Sequence, residues 1–324
     1  EAMAFALPIH WHAPAAILAC KAGKHVYVEK PCCHNPREGE LLVEAARKYN
    51  RVVQMGAQRR SSAVIMEGMT KLLEGAIGRT YYARGWYAAL RGTMGRGEDG
   101  TPPEHLDYDL WQGPAPRRPY RSNVIHYNWH WVWRYGTGEA GNNGTHMFDL
   151  ARWGLGVEYP KRVTAAGGRY RYDDDQETPD TEMYSYDFDG GKTFTWEGLS
   201  CNQPGPEGMF VGITFYGENG SLIVGHDKYL LRDGDGKTVE EKKGDVGGVD
   251  HVINFFNAIR SENPSSLNCE IETGYKSALL AHLGNIAYCT GRVLRCDEKG
   301  HILDDAEAQA LWQRDYEPGW EPTV

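Results

Sequence analysis

Three short stretches carry residue types that could do chemistry. In the first, Val26-Tyr27-Val28 runs straight into Glu29-Lys30-Pro31. Ligands of open parallel sheets bind at the carboxyl ends of the strands. An ammonium at that position can donate to an oxygen that gains negative charge during a reaction. In the second, Asn142, His146 and Asp149 follow one another at spacings that share one face of a helix. An imidazole there suits proton transfer near neutral pH. The third is a scatter of metal-type residues: His10 and His12, and the run Cys32-Cys33-His34. One short cluster cannot complete a tetrahedral site. The seven cysteines are odd in number and contain no C-x-x-C, so neither a zinc site nor a disulfide framework is expected.

These residues need elements to position them. Residues 2–7 (AMAFAL) read as a buried strand. A helix follows with Pro14 in its first turn and Gly23 as its stop, and then the strand HVYV. Asn35-Pro36-Arg37-Glu38 reads as an N-cap, a first-turn proline and a capping-box glutamate, opening a helix that runs to Tyr49. RVVQM is a third strand, and Ser61 or Ser62 opens a helix that stops at Gly75. This β-α-β-α-β-α order predicts parallel strands with crossover helices. After Gly78 the language changes. TYYARGWY is a strand, residues 91–128 are irregular, and a helix covers about 143–153. RVTAAGGRY, TEMYSYDF, KTFTWEG, FVGITFY and SLIVG then alternate between turn residues, which predicts an antiparallel sheet. Helices are expected again over 249–261 and 273–290. The fold class is therefore α/β plus α+β, with domains at 1–77 and 78–324.

A dinucleotide-binding domain should show G-x-G-x-x-G between a strand and a helix. One match exists, Gly136-Thr137-Gly138-Glu139-Ala140-Gly141. The segment before it, WHWVWRY, is too bulky for a central parallel strand, and the helix after it carries Asn142, His146 and Asp149. The match is rejected as a phosphate loop. The first unit then has three strands and no phosphate loop, and the chain opens at Glu1 inside an apolar run. It reads as the C-terminal half of a Rossmann dinucleotide-binding domain, with the front half expected upstream of Glu1.

The run ALPIHWHAPAAILACKAGKHVYVEKP resembles the Gfo/Idh/MocA oxidoreductases, the relatives of glucose–fructose oxidoreductase and inositol dehydrogenase. GEAGNNGTHMFDLARWGLG is similar to that family's G-G-x-x-x-D-x-G-x-H-x-x-D helix. VVQMGAQRR, LLEGAIGRTYYARGWY, FYGENGSLIV and ALLAHLGNIAYCTGR extend the resemblance along nearly the whole chain. LDYDLWQGPAPRRPY and HYNWHWVW look like the bacterial subgroup that often carries a twin-arginine export signal. Two positions depart from the pattern. Leu7 replaces the usual threonine before Pro8, and Asn142 stands where an aspartate is usual.

The resemblance implies an NAD(P)-dependent oxidoreductase acting on a CH–OH group of a sugar, sugar derivative or cyclitol, with NAD or NADP as cofactor. Lys30 would polarise the hydroxyl and His146 would take its proton. Asn142, Asp149, Arg60 and Trp86 are the implied substrate contacts, with Arg60 also readable as surface charge. Pro8, His10, His12, Glu29, Lys30, Pro31 and Gln58 are the implied cofactor contacts, Pro31 shaping its turn through a cis bond. Asn128 and His130 are open between substrate contact and packing. Two alternatives remain: an NAD-using glycosidase that oxidises, eliminates and re-reduces, and a non-redox carbohydrate-binding relative. A homodimer or homotetramer is implied through the open face of the second sheet, with the aromatics of TEMYSYDF and KTFTWEG on it. The resemblance leaves the compartment open between bacterial cytoplasm and periplasm.

Composition narrows the partners. The formal charge is −9 over 324 residues, which argues against nucleic acid or an anionic membrane surface. No apolar run reaches the length of a membrane span. Ten Trp and 19 Tyr are enough to stack on sugar rings, although core packing uses the same residues.

Overall fold

The computed structural model describes residues 1–324, and two sheets organise it. The smaller holds β1 (Ala2–Phe5), β2 (His25–Val28) and β3 (Val53–Met55), all parallel and in sequence order. Helices α1 (His12–Lys21) and α2 (Pro36–Lys48) make the crossovers. The start of α2 bears out the capping reading: Asn35 Oδ1 accepts from the Glu38 amide at 3.0 Å, and the Glu38 carboxylate accepts from the His34 amide at 3.0 Å.

Helix α3 (Ala63–Leu73) leads to β4 (Thr80–Ala88), which enters the large sheet. A two-residue pair, β5 (Asp99–Gly100) with β6 (Tyr120–Arg121), and the short helix α4 (Tyr108–Gln112) lie in the irregular stretch. Helix α5 (Thr145–Leu155) follows, preceded by a π-turn over Ala140–Gly144. Then come β7 (Arg162–Gly168), β8 (Thr181–Phe188), β9 (Lys192–Leu199), β10 (Val211–Gly217), β11 (Gly220–Val224), β12 (Lys228–Asp233) and β13 (Thr238–Lys243). Helices α6 (Gly248–Arg260) and α7 (Ile271–Thr290) and the short strand β14 (Leu294–Arg295) follow. The order in the large sheet is β13-β12-β11-β10-β4-β9-β8-β7-β14.

The large sheet is antiparallel except at its middle, where β4 and β9 run parallel. The sheet is thus mostly antiparallel, as expected, with one parallel pair that the alternating segments do not announce. β4 enters from the first unit and takes the centre, and the hairpins assemble on either side of it. One departure concerns packing. α3 follows the third parallel strand, yet it lies against the large sheet, with the Tyr229 ring against Gly68. α7 in turn packs on α2 and β3, with Gly274 against Met55. One core of 54 buried residues therefore runs through both sheets.

One face of the large sheet is covered by α5 and α7. Tyr184, Tyr186, Phe194 and Trp196 point into that cover and are buried. This corrects the expectation that the aromatics of TEMYSYDF and KTFTWEG face outward. The opposite face carries Met183, an Arg84–Glu197 ion pair and a stacked Tyr82–Tyr216 pair. No helix is long and apolar enough to cross a membrane.

Candidate active site

The turn after β2 and the start of α5 meet at Lys30. Its Nζ donates to the Asn142 backbone oxygen at 2.6 Å and to Asn142 Oδ1 at 3.0 Å. Two of the three ammonium donors are thus placed, and the third is free for another oxygen. The Lys30–Pro31 peptide is cis, as expected. Burial lowers the Lys30 pKa; Glu29 and Glu139 oppose that shift and Arg91 adds to it.

Asn142 sits in the π-turn, a winding that is rare and recurs at functional sites. The turn packs closely: a Cβ on Gly141 would lie 1.8 Å from Thr137 Oγ1. One helical turn further on is His146, half-buried, with its Nδ1 enclosed and without a hydrogen-bond partner. Burial, then the charges of Lys30 and Arg59, hold its pKa well below the ordinary histidine value. The ring is therefore neutral, and able to accept a proton, at neutral pH. Glu29 completes the turn. Its carboxylate accepts from the Lys30 amide at 3.2 Å and lies against Gly56, where a Cβ would come within 2.8 Å of Oε1. Burial raises the Glu29 pKa.

The remaining expected residues divide. His12 ties two turns together, with Nδ1 2.7 Å from the Pro31 oxygen and Nε2 2.7 Å from the Leu7 oxygen. It braces the turn that carries Lys30 and is itself buried. His10 is no cofactor contact: it is fully buried, bonds the Trp111 oxygen at 2.8 Å and packs on Trp111 and Tyr135. Burial pushes its pKa down to about 3. No group of three metal-type residues that could hold an ion forms in the chain. Pro8 and Gln58 are half-buried at the turns after β1 and β3.

Asp149 is no free substrate contact. Both its oxygens receive Arg60 Nε, at 2.9 and 2.7 Å, and Oδ1 also takes the Ser277 hydroxyl at 2.8 Å. Arg60 in turn lies over the Trp153 ring. This is a buried ion pair with its acceptors occupied. Trp86 is also displaced from the site. Gly85 faces α5, so the next residue points to the other side of the sheet, where Trp86 is fully buried and donates to the Met209 oxygen.

Two residues join the site that the sequence did not single out. Arg91 and Glu139 form an ion pair at 2.9 Å whose charges reach Lys30. His130 lies in the same field, its pKa pushed down to about 4 by burial. Glu139 was hidden inside the rejected glycine match. Its signal was its place three residues before Asn142, on the same helical face. A cavity of about 600 Å³ is lined by Tyr108, Arg118, Trp133, Arg134 and Arg314 among others and shares no residue with the Lys30 cluster. Chemistry locates the site here better than volume does.

The model of the oxidoreductase family's NAD-binding Rossmann fold matches residues 1–57, and that of the same family's C-terminal alpha/beta domain matches residues 85–198. The chain belongs to the Gfo/Idh/MocA oxidoreductase family. Levoglucosan dehydrogenase of Pseudarthrobacter phenanthrenivorans is 28% identical over 151 residues, which is 47% of this chain and 32% of that enzyme's length. The match thus spans about a third of that curated relative. A levoglucosan dehydrogenase solved with NADH and levoglucosan superposes with TM-score 0.69 at 19% identity, covering 90% of this chain and 79% of that one. The WlbA dehydrogenase from Bordetella pertussis, in complex with NADH and UDP-GlcNAcA, gives 0.67 at 18% identity, covering 92% and 79%. At these identities the structures establish the fold.

The residues present fit the nicotinamide end of the family's cofactor. Leu7 is exposed and Pro8 half-exposed at the end of β1, beside half-buried Glu29 and Lys30, and His146 leaves a ring nitrogen unpaired. The turns after β1, β2 and β3 hold no glycine-rich loop of the phosphate-cradling kind.

Proposed function

We propose that this chain belongs to an NAD-dependent dehydrogenase that oxidises a CH–OH group of a neutral sugar, sugar derivative or cyclitol. The observation that carries the reading is Lys30, docked on Asn142 with one donor to spare, one helical turn from the neutral ring of His146. NAD, when bound, supplies the hydride acceptor, with Leu7, Pro8, Glu29 and Lys30 at its nicotinamide end. Lys30 donates a hydrogen bond from its remaining N–H to the substrate hydroxyl oxygen and stabilises the negative charge that develops there. His146 accepts the hydroxyl proton. Asn142 fixes the direction of the Lys30 amine. Levoglucosan in one related structure supports this substrate class. The open face of the large sheet is the surface proposed for self-association into a dimer or tetramer.

The test is NADH absorbance with a panel of neutral sugars and cyclitols, levoglucosan included, together with product analysis. Oxidised sugar formed in step with NADH is the expected result. Glycoside cleavage without NADH would replace this reading with transient oxidation, and ligand binding without either product would replace it with a non-redox role.

A further inference from the structure

Lys30 is a half-buried ammonium whose hydrogen bonds go to neutral acceptors alone, the Asn142 carbonyl and its side-chain amide oxygen. A charge taken out of water needs compensation. Five other ionisable groups bear on it besides Glu139: Glu29, Arg91, and the imidazoles of His12, His130 and His146. The three imidazoles are held neutral by burial; Glu29 also supports the Lys30 charge, although burial raises its own pKa. Glu139 differs. It is fully buried at the N-terminal end of the π-turn that holds Asn142, and four contacts converge on its two oxygens. Arg91 Nε reaches Oε2 at 2.9 Å, Arg91 Nη2 reaches Oε1 at 3.4 Å, the Ser200 hydroxyl reaches Oε2 at 3.0 Å, and Asn143 Nδ2 reaches Oε1. Only donors surround it, which is the environment of an ionised carboxylate. Arg91 is itself fixed over Trp131, 4.8 Å from the ring centre, and by the hydroxyls of Tyr87 and Tyr127.

We propose that Glu139 is a positioning residue that supplies the fixed negative charge for Lys30 from the first turn of the same π-wound segment, with Arg91 as the counter-ion that anchors it. This rests on the reading of Lys30 as the polarising group. It goes further by assigning the charge that keeps Lys30 a donor.

The test reads Lys30 directly and needs no substrate. Lysines are labelled by reductive ¹³C-methylation, the Lys30 signal is assigned by its loss in Lys30→Arg, and it is titrated by NMR. Glu139→Gln is expected to lower the Lys30 midpoint by about one pH unit. Adding Asn142→Asp, which puts a carboxylate where Oδ1 now stands 3.0 Å from Nζ, is expected to bring it back. A merely structural role for Glu139 would not be rescued by charge at 142. An unmoved midpoint in Glu139→Gln, or a double variant as low as the single, overturns the proposal. Should Glu139→Gln fail to fold, Arg91→Met takes its place. It leaves Glu139 unopposed and is expected to raise the midpoint, and no rise overturns the proposal. These outcomes are independent of turnover: the titration can fail while NADH is formed, and can succeed in a protein that forms none.

Discussion

The two ends of α5 begin from the same kind of sequence and finish differently. Asn142 and His146 at its N-terminal end, and Asp149 one turn later, lie on neighbouring positions of one face. At the Asp149 end every acceptor is used, by Arg60 and by Ser277. At the other end capacity is left over: a donor on Lys30 and an enclosed ring nitrogen on His146. On this helix the saturated groups hold the fold, and the groups proposed for the chemistry keep hydrogen-bonding capacity unused.

The sharpest break in that contrast would come from Lys30→Met. NADH formation should fall about 10²- to 10⁴-fold, while the urea midpoint falls far less than in a broken buried ion pair, because only two hydrogen bonds to neutral Asn142 acceptors are lost. A loss of stability as large as that, together with lost activity, would place Lys30 among the saturated groups. Asp149→Asn should do the opposite. It leaves Arg60 buried against a neutral amide and should cost roughly 3–5 kcal/mol in urea unfolding. Cost-free removal would show that the pair is incidental.

A smaller effect separates the site from the core of the large sheet by pH. Burial pushes the Glu182 carboxyl up to about 8, although Trp196 Nε1 donates to it. A raised carboxyl favours the protonated native state. Its contribution is full below the ordinary value of 4.5 and is lost as pH rises through about 8. Stability should decline by up to about 5 kcal/mol across that window, and Glu182→Gln should flatten the decline. His146 carries the opposite sign. Its lowered pKa keeps the base form present below pH 6.5, so the acid limb of the rate profile should lie under that value. A limb centred at 6.5 or above would contradict the burial that sets it.

Much of this was legible in the sequence, and the failures have physical causes. The first three strands and their helices were readable because caps, prolines and glycines punctuate them; Asn35 and Glu38 behave as their spacing implies. The strands β12 and β13 escaped because KYLLRD and TVEEKK, at the edge of the sheet, carry charges in place of clean alternation. The parallel β4–β9 pair escaped because pairing across more than 100 residues leaves no local mark. Lys30, Asn142 and His146 were singled out by residue type and spacing, and the structure docks Lys30 on Asn142. Trp86 was misplaced because strand parity says which residues share a face but not which face α5 takes. Glu139 and Arg91 escaped because an ion pair between distant segments exists only in three dimensions.

The measurement that tests the division most directly is NADH formation per folded molecule for the parent, His146→Gln and Asp149→Asn, with the folded fraction fixed by circular dichroism at the same temperature. The account predicts that His146→Gln loses at least about 100-fold while fully folded, and that Asp149→Asn, corrected for its unfolded fraction, turns over like the parent. A fully folded Asp149→Asn protein as inactive as His146→Gln would contradict it, because the saturated end of the helix would then be part of the chemistry.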